Sequence, residues 1–343
     1  MDKKATLSEL GEFGLIDRIR QLFPDPEGVT GIGDDCAILP QRSGQDTLVS
    51  TDLLIEGTHF LREDIPPYQL GWKSAAVNLS DIAAMGGQPT ATFLSLALPA
   101  ELSPDWVGEF LRGYGDVSAR FGAALLGGDT TLSPDRICIN VAVLGQCPSG
   151  TARKRSDAQA GDLICVTGTL GDSAAGLKAI LAGIGRDADV QALIDRHYLP
   201  QPRVAEGLQL AATPGVHAMM DISDGIGSDL AHILENPAAG RAAAAGQPEP
   251  QALAAEINLS AIPLSEELQR VCAREGWDAV ELAICGGEDY ELLFTVDPAA
   301  EAHLPVPHTV IGVVSSSADL IGGSPITWLG TDRPFSGFDH FKK

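Results

Sequence analysis

The sequence predicts a two-domain α/β protein, and three observations predict it. The chain has 343 residues, more than the roughly 100–200 of one ordinary domain. Strand-like apolar runs and helical stretches are interleaved in both halves. The chain's only basic cluster sits in the segment 146–160, QCPSGTARKRSDAQA, which reads as a linker and sets the domains at 1–147 and 148–343.

In the first half, Leu10, Phe13, Ile16, Ile19 and Phe23 have helical spacing behind Ser8, a good cap. Short strands follow at Cys36–Leu39 and Thr47–Val49. The small-residue run 68–86 reads as a close-packed helix ended by Gly86-Gly87. On it Asn78 and Asp81 share a face, as a hydrogen-bonded buried pair or with Asp81 as a ligand. Thr90–Leu98 is a strand, Pro104–Phe121 a helix, and Ala123–Leu126 a short strand leading into Gly127-Gly128-Asp129-Thr130-Thr131. An alternating strand, Arg136–Leu144, closes the domain.

The second half opens with a strand at Asp162–Thr167. A Gly-containing turn, 168–172, leads into a helix at Ser173–Leu181; such turns can bind anions, though this one is a weak signal alone. A helix at 203–212, a strand at His217–Asp221 and a helix at Ile226–Leu234 come next. The Ala-, Pro- and Gly-rich stretch 237–254 reads as an exposed insert. Strands are expected at Ala255–Leu259, Tyr290–Val296, His308–Val314 and Pro325–Leu329, and an aromatic tail, Gly337–Phe341, ends the chain.

Charge narrows the function. The formal net charge is -23, from 23 basic and 46 acidic residues. That sign disfavours nucleic acid and anionic membranes. An anionic small molecule needs a neutralising partner, for which bound metal is the obvious candidate. The 44% hydrophobic content supplies a sizeable core. The six cysteines form no Cys-x-x-Cys pair, so zinc and redox motifs are not indicated, and they read as buried packing groups in a reducing cytosol. MDKKATLSEL has no apolar core, so no signal peptide is expected. No run nears the roughly 18 apolar residues of a membrane span. Together these lead to the expectation of a cytoplasmic protein.

The chemistry is carried by aspartates at strand ends. In the opening stretch Asp34 and Asp35 precede the first short strand and Ser50-Thr51-Asp52 follows the next; Asp129 ends the second strand-then-Asp unit, Asp221-Ile222-Ser223-Asp224-Gly225 the third, and Gly286-Gly287-Glu288-Asp289-Tyr290-Glu291 forms the fourth acidic turn. Any one of these alone reads better as a solvated turn residue. As a set with one basic residue, Arg42, between Gly28 and His59, they repel one another unless a cation lies among them. Hard oxygen donors suit Mg²⁺ or Ca²⁺. No P-loop, dinucleotide fingerprint, protein-kinase signature or nucleophile elbow is present. The residues alone thus reach Mg²⁺-dependent phosphate chemistry.

At these motifs the chain resembles the thiamine-monophosphate kinase family, part of the superfamily of aminoimidazole ribonucleotide synthetase, selenophosphate synthetase and a hydrogenase maturation factor. The matching stretches are GIGDDCA (31–37), STD with EGTHF (50–60), VNLSDIAAMG (77–86), GGDTT (127–131), TGTLGDSAAGL (167–177), DISDGIGSDL (221–230), GGEDYEL (286–292) and GFDHF (337–341). A single GGD is weak; eight stretches in family order are specific. The resemblance implies an N-terminal α/β domain whose sheet pairs across a homodimer, a C-terminal α/β domain, and ATP with several Mg²⁺ ions between them. The γ-phosphate of ATP would pass to thiamine phosphate, with a phosphate group as acceptor.

Carried over by motif, Asp35, Ser50, Thr51, Asp52, Asp81, Asp129, Asp221 and Asp224 would hold Mg²⁺. Gly128, Asp129, Arg155 and Ser223 would touch ATP. His59, Glu288 and Phe338 would contact thiamine phosphate. Asp34 competes with Asp35, and Arg153 or Lys154 with Arg155. A phosphate monoester, with its second pKa near ~6, is already largely ionised at neutral pH. No general base or covalent nucleophile is therefore expected, only direct in-line transfer. The alternatives are another ATP-dependent member of the superfamily or a non-catalytic nucleotide- or metal-binding protein.

Overall fold

The computed structural model describes residues 37–40, 44–235, 253–316, 325–331 and 333–337. The expected helix at 8–23, Asp34, Asp35, nearly all of the insert 237–254 and Phe338 lie outside them.

The described residues form two sheets. The first has β1 (Ala37–Pro40), β2 (Gln45–Ile55), β3 (Gln88–Pro99), β4 (Ala124–Ser133) and β5 (Cys138–Pro148) in the order β1-β2-β5-β3-β4. All pairs are antiparallel except β3 with β4. The second has β6 (Leu163–Val166), β7 (Val216–Asp221), β8 (Leu253–Asn258), β9 (Leu292–Val296), β10 (Thr309–Ser316) and β11 (Ile326–Leu329) in the order β11-β8-β10-β6-β9-β7. Helices α1 (Pro67–Ala84) and α2 (Pro104–Arg120) accompany the first sheet. Helices α3 (Asp172–Leu181), α4 (Ala188–Tyr198), α5 (Val204–Ala211), α6 (Ile226–Glu235), α7 (Glu266–Glu275), α8 (Ala279–Cys285) and α9 (Pro298–Glu301) accompany the second.

The two strands that depart most from the expected lengths both carry site residues. Strand β2 continues past Val49 to Ile55, so Ser50, Thr51 and Asp52 lie within it rather than after it. Strand β4 continues past Leu126 to Ser133, so Gly128 and Asp129 are strand residues. The ladder supplies the reason. β2 is paired with β1 and β5, and β4 with β3, so backbone pairing holds polar residues that local propensity reads as turn.

Helix α1 joins the two halves. Pro67 at its first turn suits the start. Thirteen of its 18 residues are buried, so it has no solvent face of ordinary width. One side packs on Leu48, Leu94, Ile139 and Val141 of the first sheet and on Phe110 and Tyr114 of α2. Close approach to α2 depends on glycine: a Cβ on Gly71 would meet the Phe110 carbonyl oxygen at 1.9 Å, and one on Gly113 the Tyr68 carbonyl oxygen at 1.9 Å. The C-terminal end reaches the second sheet, where Ala84 joins Cys165, Met219, Phe294 and Leu210 in one core. The opposite face of that sheet is covered by α6 and its neighbours, through Leu230, Ile233, Ile164, Met220 and Leu293.

Candidate active site

The functional side chains gather where α1 passes between the sheets. Strand β2 turns Ser50 and Asp52 toward the helix. The Ser50 hydroxyl donates to Asp81 Oδ2 at 2.6 Å, and the Asp52 backbone N–H donates to Asn78 Oδ1 at 3.2 Å. Asn78 is fully buried and also donates to the Ser74 carbonyl, so its role is to clamp β2 onto α1. One residue before Asp81, the Ser80 hydroxyl reaches across to Asp221 Oδ2 at 2.5 Å. First-half and second-half carboxylates are thereby tied together.

The second half contributes two loops that support each other. In the loop after β7, buried Asp229 accepts from the Ser223 and Asp224 backbone N–H groups at 3.1 and 3.2 Å. Burial, then the charges of Asp224 and Asp221, push the Asp229 carboxyl well up, against the opposing pull of Arg155. In the acidic turn, the Glu288 N–H donates to the Ser223 carbonyl and the Tyr290 N–H to the Ile222 carbonyl. Glu288 and Tyr290 are left-handed at φ 64 and 52, a conformation costing a non-glycine residue about 1–3 kcal/mol. Burial raises the Tyr290 phenol well above its ordinary value, and the negative charges of Glu288, Asp52, Asp221 and Asp224 add to it. One tyrosine therefore sits among carboxylates from both halves.

The weak anion signal at 168–172 resolves differently. The backbone N–H groups of Gly171 and Ser173 donate to Asp289 at 2.7 and 3.3 Å. The chain's own carboxylate fills the helix start, which is no longer available to a phosphate. Arg153 is committed elsewhere too, donating to the Ala211 and Thr213 carbonyls. Of the basic cluster, Arg155 is the residue whose charge is felt in the site, through Asp229.

His59 sits in the turn after β2, where its Nδ1 accepts the Ile55 N–H at 3.0 Å. That bond assigns the ring proton to Nε2 in the neutral form. Its charge acts on Glu288, so the two expected acceptor contacts are neighbours. Gly128 and Asp129 are not brought into the same group within one chain. The row Asp52, Val141, Leu94, Gly128 crosses the sheet from β2 to β4, three strand spacings or roughly 14 Å. Asp129 and Thr51 lie on the other face of the sheet, where both are exposed.

Sequence reading missed Lys73, Ser80, Ser173, His197, Asp229 and Asp289. Lys73 carried a signal: a lone cation inside a helix of small and apolar residues. Among the described residues no three His, Cys, Asp or Glu side chains close into a ready-made metal cage. The donors are instead hard oxygens spread around a cleft. That set fits Mg²⁺, which keeps several waters and takes few protein ligands beside phosphate oxygens.

Comparison with known proteins shows the family and the fold. A family model described as AIR synthase related protein, N-terminal domain, matches residues 33–147. Thiamine-monophosphate kinase of Salmonella typhimurium is 39% identical over 96% of this chain and 98% of its own length. The chain belongs to the thiamine-monophosphate kinase family. The Bacillus subtilis member is 32% identical over 97% of this chain and 100% of its own. A solved structure of AaThiL complexed with AMPPCP and TMP superposes with a TM-score of 0.84, at 34% identity over 98% of this chain and 99% of that one. Membership of the thiamine-monophosphate kinase family accounts for the mixed α/β architecture.

Proposed function

We propose that this chain transfers the γ-phosphate of ATP directly to the phosphate of thiamine phosphate, in the cleft where α1 meets both sheets. The observation that carries the reading is the junction of Asp52 and Asp81 from one half with Asp221, Asp224 and Glu288 from the other. The domain division at 147/148, at the end of β5, belongs to the same reading.

Ser50, Asp52, Asp81, Asp221 and Asp224, with Asp35, are the residues that would hold Mg²⁺ in this cleft, while Thr51, on the other face of the sheet, is left out of the set. Bound there, Mg²⁺ neutralises phosphate charge and stabilises charge developing during transfer. Ser50 and Ser80 orient the Asp81 and Asp221 carboxylates. Arg155 and Ser223 lie at the nucleotide end, His59 and Glu288 at the acceptor end, with Phe338 assigned there by motif. The acceptor phosphate is already ionised, so the residues align and neutralise rather than remove a proton.

Pairing of two copies through the first sheet completes the proposal. The face away from α1 exposes Leu53 and Phe93, and edge strand β4 exposes Leu125, Leu126 and Leu132, the last at 70%. An apolar surface of this kind marks an interaction site, and a second copy would give Gly128 and Asp129 another set of carboxylates to join. A cytoplasmic location is supported by the use of Cys147, Cys165 and Cys272 as buried packing groups.

The test is ADP release with ATP and Mg²⁺, comparing thiamine, thiamine phosphate and no acceptor. Turnover confined to thiamine phosphate, giving thiamine diphosphate, is the expected result. ADP release with a different acceptor only would overturn the reading.

A further inference from the structure

The acceptor end contains a buried cation that the reaction chemistry leaves unexplained. Lys73 lies on α1 with 1% of its side chain exposed, and its ammonium donates to Glu288 Oε2 at 2.9 Å across the junction between the halves. His197 from α4 lies against both: Nε2 is 3.5 Å from the Lys73 ammonium and Nδ1 is 3.2 Å from Glu288 Oε2. Nδ1 is also 3.0 Å from the Ser173 hydroxyl, at the start of α3. An ammonium only donates, so Nε2 accepts and the ring proton resides on Nδ1, facing Ser173 and Glu288. Burial, then the Lys73 charge, lower the His197 pKa to about 3, keeping this ring neutral.

Such a group is costly to bury without purpose, because an ammonium taken from water loses its hydration. Glu288 is its one close carboxylate partner among the described residues. Glu288 sits at a left-handed backbone position in a loop hung on Ser223 and Ile222 by two hydrogen bonds. Its side chain is 28% exposed, against 1% for Lys73.

We propose that Lys73 is the positioning residue of the acceptor end, holding the Glu288 carboxylate across the two halves in the orientation that meets thiamine phosphate, with His197 and Ser173 fixing the pair from behind. This rests on the reading of Glu288 as an acceptor contact. Lys73 touches no reacting atom in this account and acts through Glu288 alone.

The experiment compares wild type, Lys73→Met, Glu288→Gln and the double variant, measuring KM for thiamine phosphate, KM for ATP and kcat. Each single variant should raise KM for thiamine phosphate by about tenfold and leave KM for ATP within about twofold. The double variant, which has no unpaired charge, should match Glu288→Gln rather than multiply the two effects. A multiplied effect, or a Lys73→Met enzyme with unchanged acceptor KM, would overturn the proposal. If Lys73→Met does not fold, Glu288→Gln and the double variant suffice: equal acceptor KM supports the proposal, and a further tenfold rise overturns it. Inactivity of wild type toward thiamine phosphate would overturn the acceptor reading instead. Amide exchange at Glu288 and Tyr290 then decides the positioning role: equal acceleration in both single variants with no further gain in the double supports it, and unchanged exchange in Lys73→Met overturns it.

Discussion

The Ser80 hydroxyl donates to Asp221 Oδ2 at 2.5 Å, and this one bond links the helix of the first half to the last residue of β7 in the second. Both side chains are buried, Asp221 at 2% exposure. A hydrogen bond to a charged group contributes about 1.5–3 kcal/mol. Ser80→Ala should lower thermal stability and raise the Mg²⁺ concentration needed for half-maximal turnover, as Asp221 loses its fixed orientation. A Mg²⁺ titration of ADP release checks this, and an unchanged midpoint would contradict it.

A buried pair at the end of the acidic turn should matter more for stability than the surface charge network. Arg203 holds the nearly buried Glu291 with two guanidinium nitrogens, and the Thr167 hydroxyl donates to the same carboxylate at 2.6 Å. Arg203→Met leaves that carboxylate uncompensated, at a cost of about 3–5 kcal/mol. Arg270, about half exposed and shared among Asp189, Glu266 and Glu267, should have a much smaller effect when changed to Ala, because water screens exposed ion pairs. Chemical denaturation of the two variants checks the ordering.

Much of this was legible in the sequence. The two-half α/β plan, the helix carrying Asn78 and Asp81, and the acidic loops after the strands all came from apolar spacing and repeated aspartates. Three kinds of feature were not legible. The full lengths of β2 and β4 depend on neighbouring strands that local propensity does not contain. Helix α4 places Val190, Leu193 and Ile194 at helical spacing among charged residues, a pattern that was present but diluted. The pairings Ser80 with Asp221 and Lys73 with Glu288 span 141 and 215 residues, so only the fold brings them together.

Acid should weaken the fold through His197. Its pKa falls from 6.5 to about 3, first because of burial and then the Lys73 charge, with Glu288 opposing. The unfolded chain therefore takes up a proton between those values that the native chain refuses. This contribution is fully present above about pH 6.5 and is lost as pH falls toward 3, by up to about 1.4 kcal/mol per pH unit for one proton. Burial pushes the Glu288 carboxyl up, but Lys73 and then His197 bring it below its ordinary 4.5, adding a loss of the same sign at lower pH. Between pH 6.5 and 5, His197→Asn should flatten the dependence of unfolding free energy on pH. An unaltered slope would contradict the buried neutral ring.

The exposed face of the first sheet should be the seam between copies. Leu126→Asp on edge strand β4, where the wild-type side chain is 65% exposed, should convert a dimer to a monomer in sedimentation analysis with little change in thermal stability of the single chain. A wild-type protein that sediments as a monomer would contradict the pairing.

The central claim is that carboxylates from both halves form one metal-dependent site. The most direct measurement is Mg²⁺-dependent turnover of thiamine phosphate by Asp52→Asn and Asp224→Asn, with circular dichroism to verify the fold. Both variants should keep the native spectrum and lose turnover by at least about a hundredfold, the scale on which removal of one electrostatic group from a transfer site acts. Near-normal turnover by either folded variant would contradict the shared site.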